Sequence, residues 1–402
     1  MKTMRRRPPT RHALQAGAVS LFVALLMAAA TTCVGAAPRV PTDDNEVVES
    51  LPAVAGWSRE ARTLRRELQQ RPTDVTVAIT AATRYLELAR SQGDARYAGH
   101  AMGALAHWAA LPPREAPPAV LVMRATIAQF LHDFDGAEAL LKVALTRQPS
   151  NAQAWITLAT IYRVRGRYDE SDAACRALGR VGPALYALAC IAENAGLRGN
   201  HDEARSTLKK LLDDPQLQAH EQAGTRQWLL TSLAEIEELA GRPAEADATY
   251  RRALQAERSG YLLLAYSDYL QRAGRPKEIP ALLGTEARSD AVLLRMAIAA
   301  RGLDGARADA DELKARFGAA AERPGTTAVH AREEAMFALD VEGNAKRALD
   351  LARLNVKLQR EPIDLLLFAR AAVAAKDEPA RAEVKALVRQ TGLRDARVDA
   401  LL

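Results

Sequence analysis

The chain has 402 residues, of which 26% are charged and only 5% aromatic, with 55 basic against 49 acidic side chains. Ala, Leu, Arg and Glu dominate and no long alternating run of Val, Ile and Thr occurs, which excludes a sheet-rich fold and leaves an all-α reading. Five of the basic residues, Lys2, Arg5, Arg6, Arg7 and Arg11, lie in a segment through Ala36 that has no acid; without them 50 bases face 49 acids. The high pI therefore belongs to the first residues, and the concentrated basic face that nucleic-acid binding needs is missing.

Those first residues read as an address. The basic stretch precedes an apolar run from Ala13 to Ala30 and then Val34-Gly-Ala36, small residues at the −3 and −1 positions of a cleavage site. We expect a signal peptide over 1–36, cleaved after Ala36, with the rest exported to the periplasm. Left uncleaved, residues 13–30 are nearly long enough to anchor the chain in a membrane. Pro8 and Pro9 argue against a twin-arginine signal, and Ala30-Thr-Thr32 before Cys33 against a lipoprotein.

Residues 37–58 have no helical period and are expected as a tether. A divergent helical region follows over 59–117: a charged helix from Arg59 to Gln70, then one with Ala78, Ala81, Ala82, Tyr85 and Leu86 on one face. After a turn at Gly93-Asp94 comes a partner helix from Tyr97 to Ala110, and Leu111 to Pro118 breaks the chain.

From Pro118 to Leu185 one 34-residue unit is written twice. Ala125, Ala137, Ala144 and Pro149 recur as Ala159, Ser171, Leu178 and Pro183, and Phe134 recurs as Tyr168. Two helices approach closely only where small side chains meet, which Ala125 with Ala137 and Ala159 with Ser171 provide. Turns are expected at Asp133-Phe-Asp-Gly136 and Arg165-Gly-Arg-Tyr168, where glycine tolerates turn dihedrals, and Pro149 and Pro183 stop the second helices. With Trp155, Leu158, Ala159, Tyr162 and Gly166-Arg-Tyr-Asp-Glu, the second copy resembles the tetratricopeptide repeat.

The turn recurs at Gly199, Gly241, Gly274 and Gly343, and Ala348 to Ala382 recovers the 34-residue spacing. Insertions near 213–224 and 319–328, and a weak turn at Asp304-Gly305, interrupt the series. Eight hairpins are countable, and 393–402 is expected as a short cap. The resemblance implies a right-handed superhelical solenoid of antiparallel helix hairpins over 118–392. Arg124, Cys175 and Leu178 depart from the family pattern. Cys175 and Cys190 admit a bridge between neighbouring repeats, but two small buried side chains are the expected state.

In tetratricopeptide proteins that this chain resembles, the first helices line a concave groove that receives partner segments. The corresponding positions are Gln153, Ile156, Thr160 and Arg163; Tyr186 and Glu193; Trp228, Thr231, Glu235 and Glu238; and Tyr261, Leu264, Asp268 and Gln271. They describe an open inner curve, acidic at its centre with aromatic anchors. Glu193, Glu235 and Asp268 would repel the terminal carboxylate that chaperone-tail binders of the family clamp.

No catalytic motif stands out. His100 and His107 lack a carboxylate at ligand spacing, and Glu235, Glu237 and Glu238 read either as paired carboxylates or, equally well, as a solvated acidic face. No cofactor and no metal is expected. The expected function is a non-catalytic scaffold in the cell envelope that binds a protein or peptide, without nucleic acid, in an assembly or secretion system. The alternative is a periplasmic carbohydrate-binding or enzyme-regulating module; an intracellular chaperone adaptor requires the leader to fail.

Overall fold

The computed structural model describes residues 57–301, 307–322 and 328–402. The expected leader and all but the end of the tether lie outside the described residues. The chain divides into two compact units, Met1–Thr63 and Leu64–Leu402. Of the first, only the opening of helix α1 (Trp57–Gln70) is described, and it starts two residues before the expected Arg59.

The second unit is all-α, a run of helices paired in sequence order. The hairpins are α2 (Val75–Gln92) with α3 (Arg96–Ala104), α4 (Pro118–Phe130) with α5 (Phe134–Arg147), and α6 (Ala152–Val164) with α7 (Tyr168–Val181). There follow α8 (Ala184–Leu197) with α9 (His201–Leu212), α10 (Ala223–Leu239) with α11 (Pro243–Ala256), and α12 (Gly260–Arg272) with the short α13 (Ile279–Leu283). Then come α14 (Asp290–Ala299) with α15 (Arg307–Ala321), α16 (Ala331–Asp340) with α17 (Ala345–Asn355), and α18 (Pro362–Ala374) with α19 (Glu378–Thr391); α20 (Ala396–Asp399) ends the chain. That is nine hairpins among the described residues, one more than expected. The additional pair is α14/α15, whose connection contains Asp304-Gly305, the weak turn not counted among the eight. Among the described residues no helix is long and apolar enough to cross a membrane.

Local chemistry explains the helix boundaries. Asp74 accepts from the amides of Thr76 and Val77, Asn151 from Ala154, and Asp377 from Ala380, satisfying donors left free at helix starts. At the crossing of α6 and α7 the small residues do what their spacing suggests: Ala159 and Ser171 are fully buried, and Ser171 Oγ donates to the Ala159 carbonyl at 2.8 Å. The first turn differs from expectation. Gly136 lies inside α5, and the left-handed residue is His132, with φ of 61°, one repeat before Gly166 at 72°.

Three further differences have local causes. Helix α3 ends at Ala104 because Leu105 leaves helical dihedrals, and a 3₁₀ turn over Ala106–Trp108 tucks Trp108 into the core. The insertion after α9 folds as two 3₁₀ turns, Pro215–Gln218 and His220–Gln222, held by the Arg226 guanidinium on the carbonyls of Leu217 and Ala219. Cys175 of α7 and Cys190 of α8 form a disulfide and are not free thiols. Direct packing of the two helices sets their Cα atoms 5.8 Å apart, within bridging reach.

The stack does not leave its inner curve open. Tyr168, Leu197 and Leu239, from the turns and helix ends of three middle hairpins, join the same buried cluster as Leu365, Phe368, Val384 and Val398. Val164 and Leu197 are the last residues of α6 and α8. Their carbonyls, without helical partners, accept from the backbone amides of Arg360 at 2.7 Å and Arg394 at 2.9 Å. The C-terminal hairpins thus return across the ends of the middle ones.

Candidate functional site

Closure of the stack forms a partly open cavity of about 470 Å3. Its wall is built from first helices: α6, α8, α10 and α12 on one side, α14, α16 and α18 on the other, with Arg397 of α20 reaching in. Ten of the fourteen expected groove residues line it: Thr160, Arg163, Glu193, Trp228, Thr231, Glu235, Glu238, Tyr261, Leu264 and Asp268. Gln153, Ile156, Tyr186 and Gln271 do not. Gln153, Ile156 and Tyr186 sit toward the starts of their helices, whereas α6 and α8 meet the cavity with their C-terminal halves, where the chain folds back. Gln153 bonds the Thr157 hydroxyl, and Tyr186 stacks on Trp228 with ring centroids 6.0 Å apart.

The expected acidic centre is instead largely neutralised. Asp268 accepts two bonds from Arg295, at 2.9 and 2.7 Å, and both side chains are buried. Glu193 pairs with Arg163 and accepts from the Ser232 hydroxyl. Glu238 accepts from Arg272 at 2.7 Å, Tyr250 Oη at 2.8 Å and Arg397 at 3.0 Å. Burial works to raise the Glu238 pKa, but the guanidinium groups of Arg272 and Arg397 outweigh it and hold the carboxyl below its ordinary range. Nor is the Glu235, Glu237, Glu238 set a solvated face: Glu237 is 1% exposed and bonded to Arg205 at 2.7 Å. Arg205 of α9, Arg272 of α12 and Arg397 of α20 reach α10 from neighbouring and returning elements, so an acidic sequence becomes a set of buried ion pairs.

Glu235 is the exception. Its hydrogen bond comes from the neutral Tyr261 hydroxyl. Burial pushes its pKa up to about 7; the Tyr261 bond works against the shift, and Glu193, Glu238 and Glu361 add to it. Tyr261 itself is 62% exposed, yet this surface faces the cavity and is ringed by protein. Burial and the Glu235 charge therefore hold its hydroxyl protonated, with a pKa well above the ordinary tyrosine value.

Across the cavity Arg332 donates to Asp364 at 2.6 and 2.9 Å and to Glu361 at 2.5 Å. Asp364 also caps α18 by accepting from the Glu361 amide, and it accepts from Asn355 at 2.6 Å. These wall residues were absent from the expected set, although a signal existed. The second residue of α12 is Tyr261, and the second residues of α14, α16 and α18 are Ala291, Arg332 and Ile363, all on the wall. Arg397 carries no such signal, because only the fold brings it to Glu238, 159 residues away.

The histidines lie elsewhere: His100 packs on Tyr85 with centroids 5.3 Å apart, and His107 meets the edge of Trp108. Among the described residues no group of three or more His, Cys, Asp and Glu side chains gathers as a metal-binding cluster.

A family model described as tetratricopeptide repeat matches residues 131–189. No curated protein matches the sequence. Among solved structures, one of a Rap protein complexed with competence and sporulation factor is similar over 86% of this chain and 95% of its own, at 12% identity and TM-score 0.47. That of Pseudomonas aeruginosa pilF matches over 52% of this chain and 96% of its own, at 17% identity and TM-score 0.36. PilW, a type IV pilus biogenesis factor, matches over 71% and 97%, at 16% identity and TM-score 0.29. Residues 131–189 are thus similar to the tetratricopeptide repeat, in a chain whose other described helix hairpins continue the same sequential stacking.

Proposed function

We propose that this chain is a non-catalytic interaction scaffold, exported to the cell envelope, which seats a segment of a protein partner against the first helices of its repeats. The observation that carries this reading is the convergence of seven successive first helices, α6 to α18, on one cavity that exposes Tyr261 and is partly lined by Trp228 and Leu264. Concave surfaces of this volume that combine apolar side chains with a few polar groups suit the capture of a side chain or short segment. Export rests on the basic and apolar leader of residues 1–36.

Photo-cross-linking tests it. With a benzophenone amino acid at position 261, the full chain in its native cells should cross-link to a discrete protein; at Lys210, exposed on the second helix α9, it should not. Equal cross-linking from both positions, or none from 261, would overturn the reading. For the address, an alkaline phosphatase fused after residue 60 should be active, and an inactive fusion would place the protein inside the cell.

A further inference from the structure

We propose that the cavity receives a guanidinium or ammonium group on an apolar stem, seated between Glu235 and the Tyr261 ring. This deepens the reading above and rests on it in taking the cavity for the place where a partner segment seats. It adds the chemistry of the group received.

The charges on the wall point one way. Each of the five arginines there, at 163, 272, 295, 332 and 397, is already bonded to a carboxylate. An anion entering the cavity would have to break one of these pairs and leave a carboxylate unpartnered in a desolvated place, a costly exchange. One carboxylate on the wall has no cation bonded to it: Glu235, bonded by Tyr261; Glu333 makes no hydrogen bond or ion pair among the described residues and lies in the field of Arg332. An incoming cation meets charge in need of compensation and disturbs no pair.

The rest of the wall suits the stem. Tyr261, largely exposed, lines the cavity together with Trp228, Leu264 and Ile363. A cation over an aromatic face gains from the ring quadrupole, and gains more where water is scarce. The chain itself offers the precedent: Arg397, from the C-terminal segment, lines this wall with its guanidinium held by Asp395 at 2.7 and 2.8 Å and donating to Glu238 at 3.0 Å. What α20 does at Glu238, an outside side chain would do one turn away at Glu235.

The source is an arginine or lysine side chain of a bound segment, or a free amine of the same chemistry, and titration calorimetry on the full chain separates them. The probes are agmatine, the neutral N-butylurea, and a blocked tripeptide with arginine between two leucines. Each is titrated into the native protein and into Glu235→Gln, which keeps the Tyr261 bond and the side-chain volume. Agmatine and the peptide should both bind at pH 8, with affinity at least tenfold lower in the variant, and the urea should not bind. Binding of the peptide alone supports a side chain presented by a segment; binding of agmatine alone supports a free amine. Equal binding of the urea, equal affinity for the Gln variant, or no binding of either cation overturns the proposal. In that last case a cross-link from position 261 would still uphold the scaffold reading, and agmatine binding without any cross-link would overturn the scaffold reading alone.

Discussion

Replacing Glu235 by Gln should make the protein more stable above neutral pH. The folded carboxyl titrates at about 7 against an ordinary value of 4.5, chiefly because burial disfavours the charge. At 1.36 kcal/mol per pH unit, ionised Glu235 costs the native state at most about 3 kcal/mol, less to the extent that water in the cavity screens it. Because the folded pKa lies above the unfolded one, the native state holds a proton between pH 4.5 and 7 that the unfolded chain has released. The stability contributed at this residue is therefore present at low pH and lost as pH rises through 7. Glutamine keeps the bond from Tyr261 Oη and carries no charge. Urea unfolding followed by circular dichroism at pH 5, 6, 7 and 8 should give a higher midpoint for the variant at pH 8, with the two curves converging by pH 5. Other titrating groups are common to both proteins and drop out of the difference. A gap independent of pH, or a variant less stable at pH 8, would refute the burial of this charge.

The closure of the stack, the disulfide and the tail each predict a measurable effect. Gly166 and Gly274 share a left-handed backbone, φ of 72° and 71°, but a Cβ on Gly166 would lie 2.6 Å from Thr391 Cγ2, whereas one on Gly274 meets nothing within 4 Å. Alanine at Gly274 should lower stability by about 1 kcal/mol, the backbone cost alone. Alanine at Gly166 should cost clearly more in thermal unfolding, and equal losses would mean that α19 does not pack on that turn. Double replacement of Cys175 and Cys190 by alanine removes a link across 15 residues of sequence, which by loop closure should lower the urea midpoint by the equivalent of about 3 kcal/mol; an unchanged midpoint would deny the bridge. Arg397→Ala leaves Glu238 with Arg272 and Tyr250 but strands the buried carboxylate of Asp395, and should destabilise by roughly 3–5 kcal/mol. Hydrogen exchange at the Arg394 amide should accelerate in that variant, and unchanged protection would contradict docking of the C-terminal segment.

Buried ion pairs also change what charge reversal at the inner face would report. Reversing Asp268 leaves Arg295 buried beside a like charge, so a loss of binding in such a variant would reflect damage to the fold. Glu235, bonded by Tyr261, can be altered without stranding an arginine.

The hairpins were legible in the sequence because their causes are local. The 34-residue spacing of Ala125 and Ala159, the small pair Ala159 and Ser171 at a crossing, and the glycine turns at 166, 199, 241 and 274 each act within one repeat or on its neighbour. The resemblance to the tetratricopeptide repeat, applied in the same register, pointed to ten residues that line the cavity. It marked Asp304-Gly305 only as a weak turn and left α14/α15 out of the hairpin count, and it misassigned Gly136, because a left-handed histidine at 132 does what glycine does one repeat later. Composition along one helix could not reveal that Glu237 and Glu238 are buried, since their partners Arg205, Arg272 and Arg397 stand on other elements.

A repeat pattern therefore determined the helices, their pairing and the face each turns inward. Whether that face meets solvent or another part of the chain depends on how small rotations accumulate from one hairpin to the next, and no single repeat encodes that sum. Only the tertiary structure decided that α18 and α19 return to the carbonyl ends of α6 and α8. Contacts between residues far apart in sequence there convert a groove into a cavity and set the protonation of Glu235.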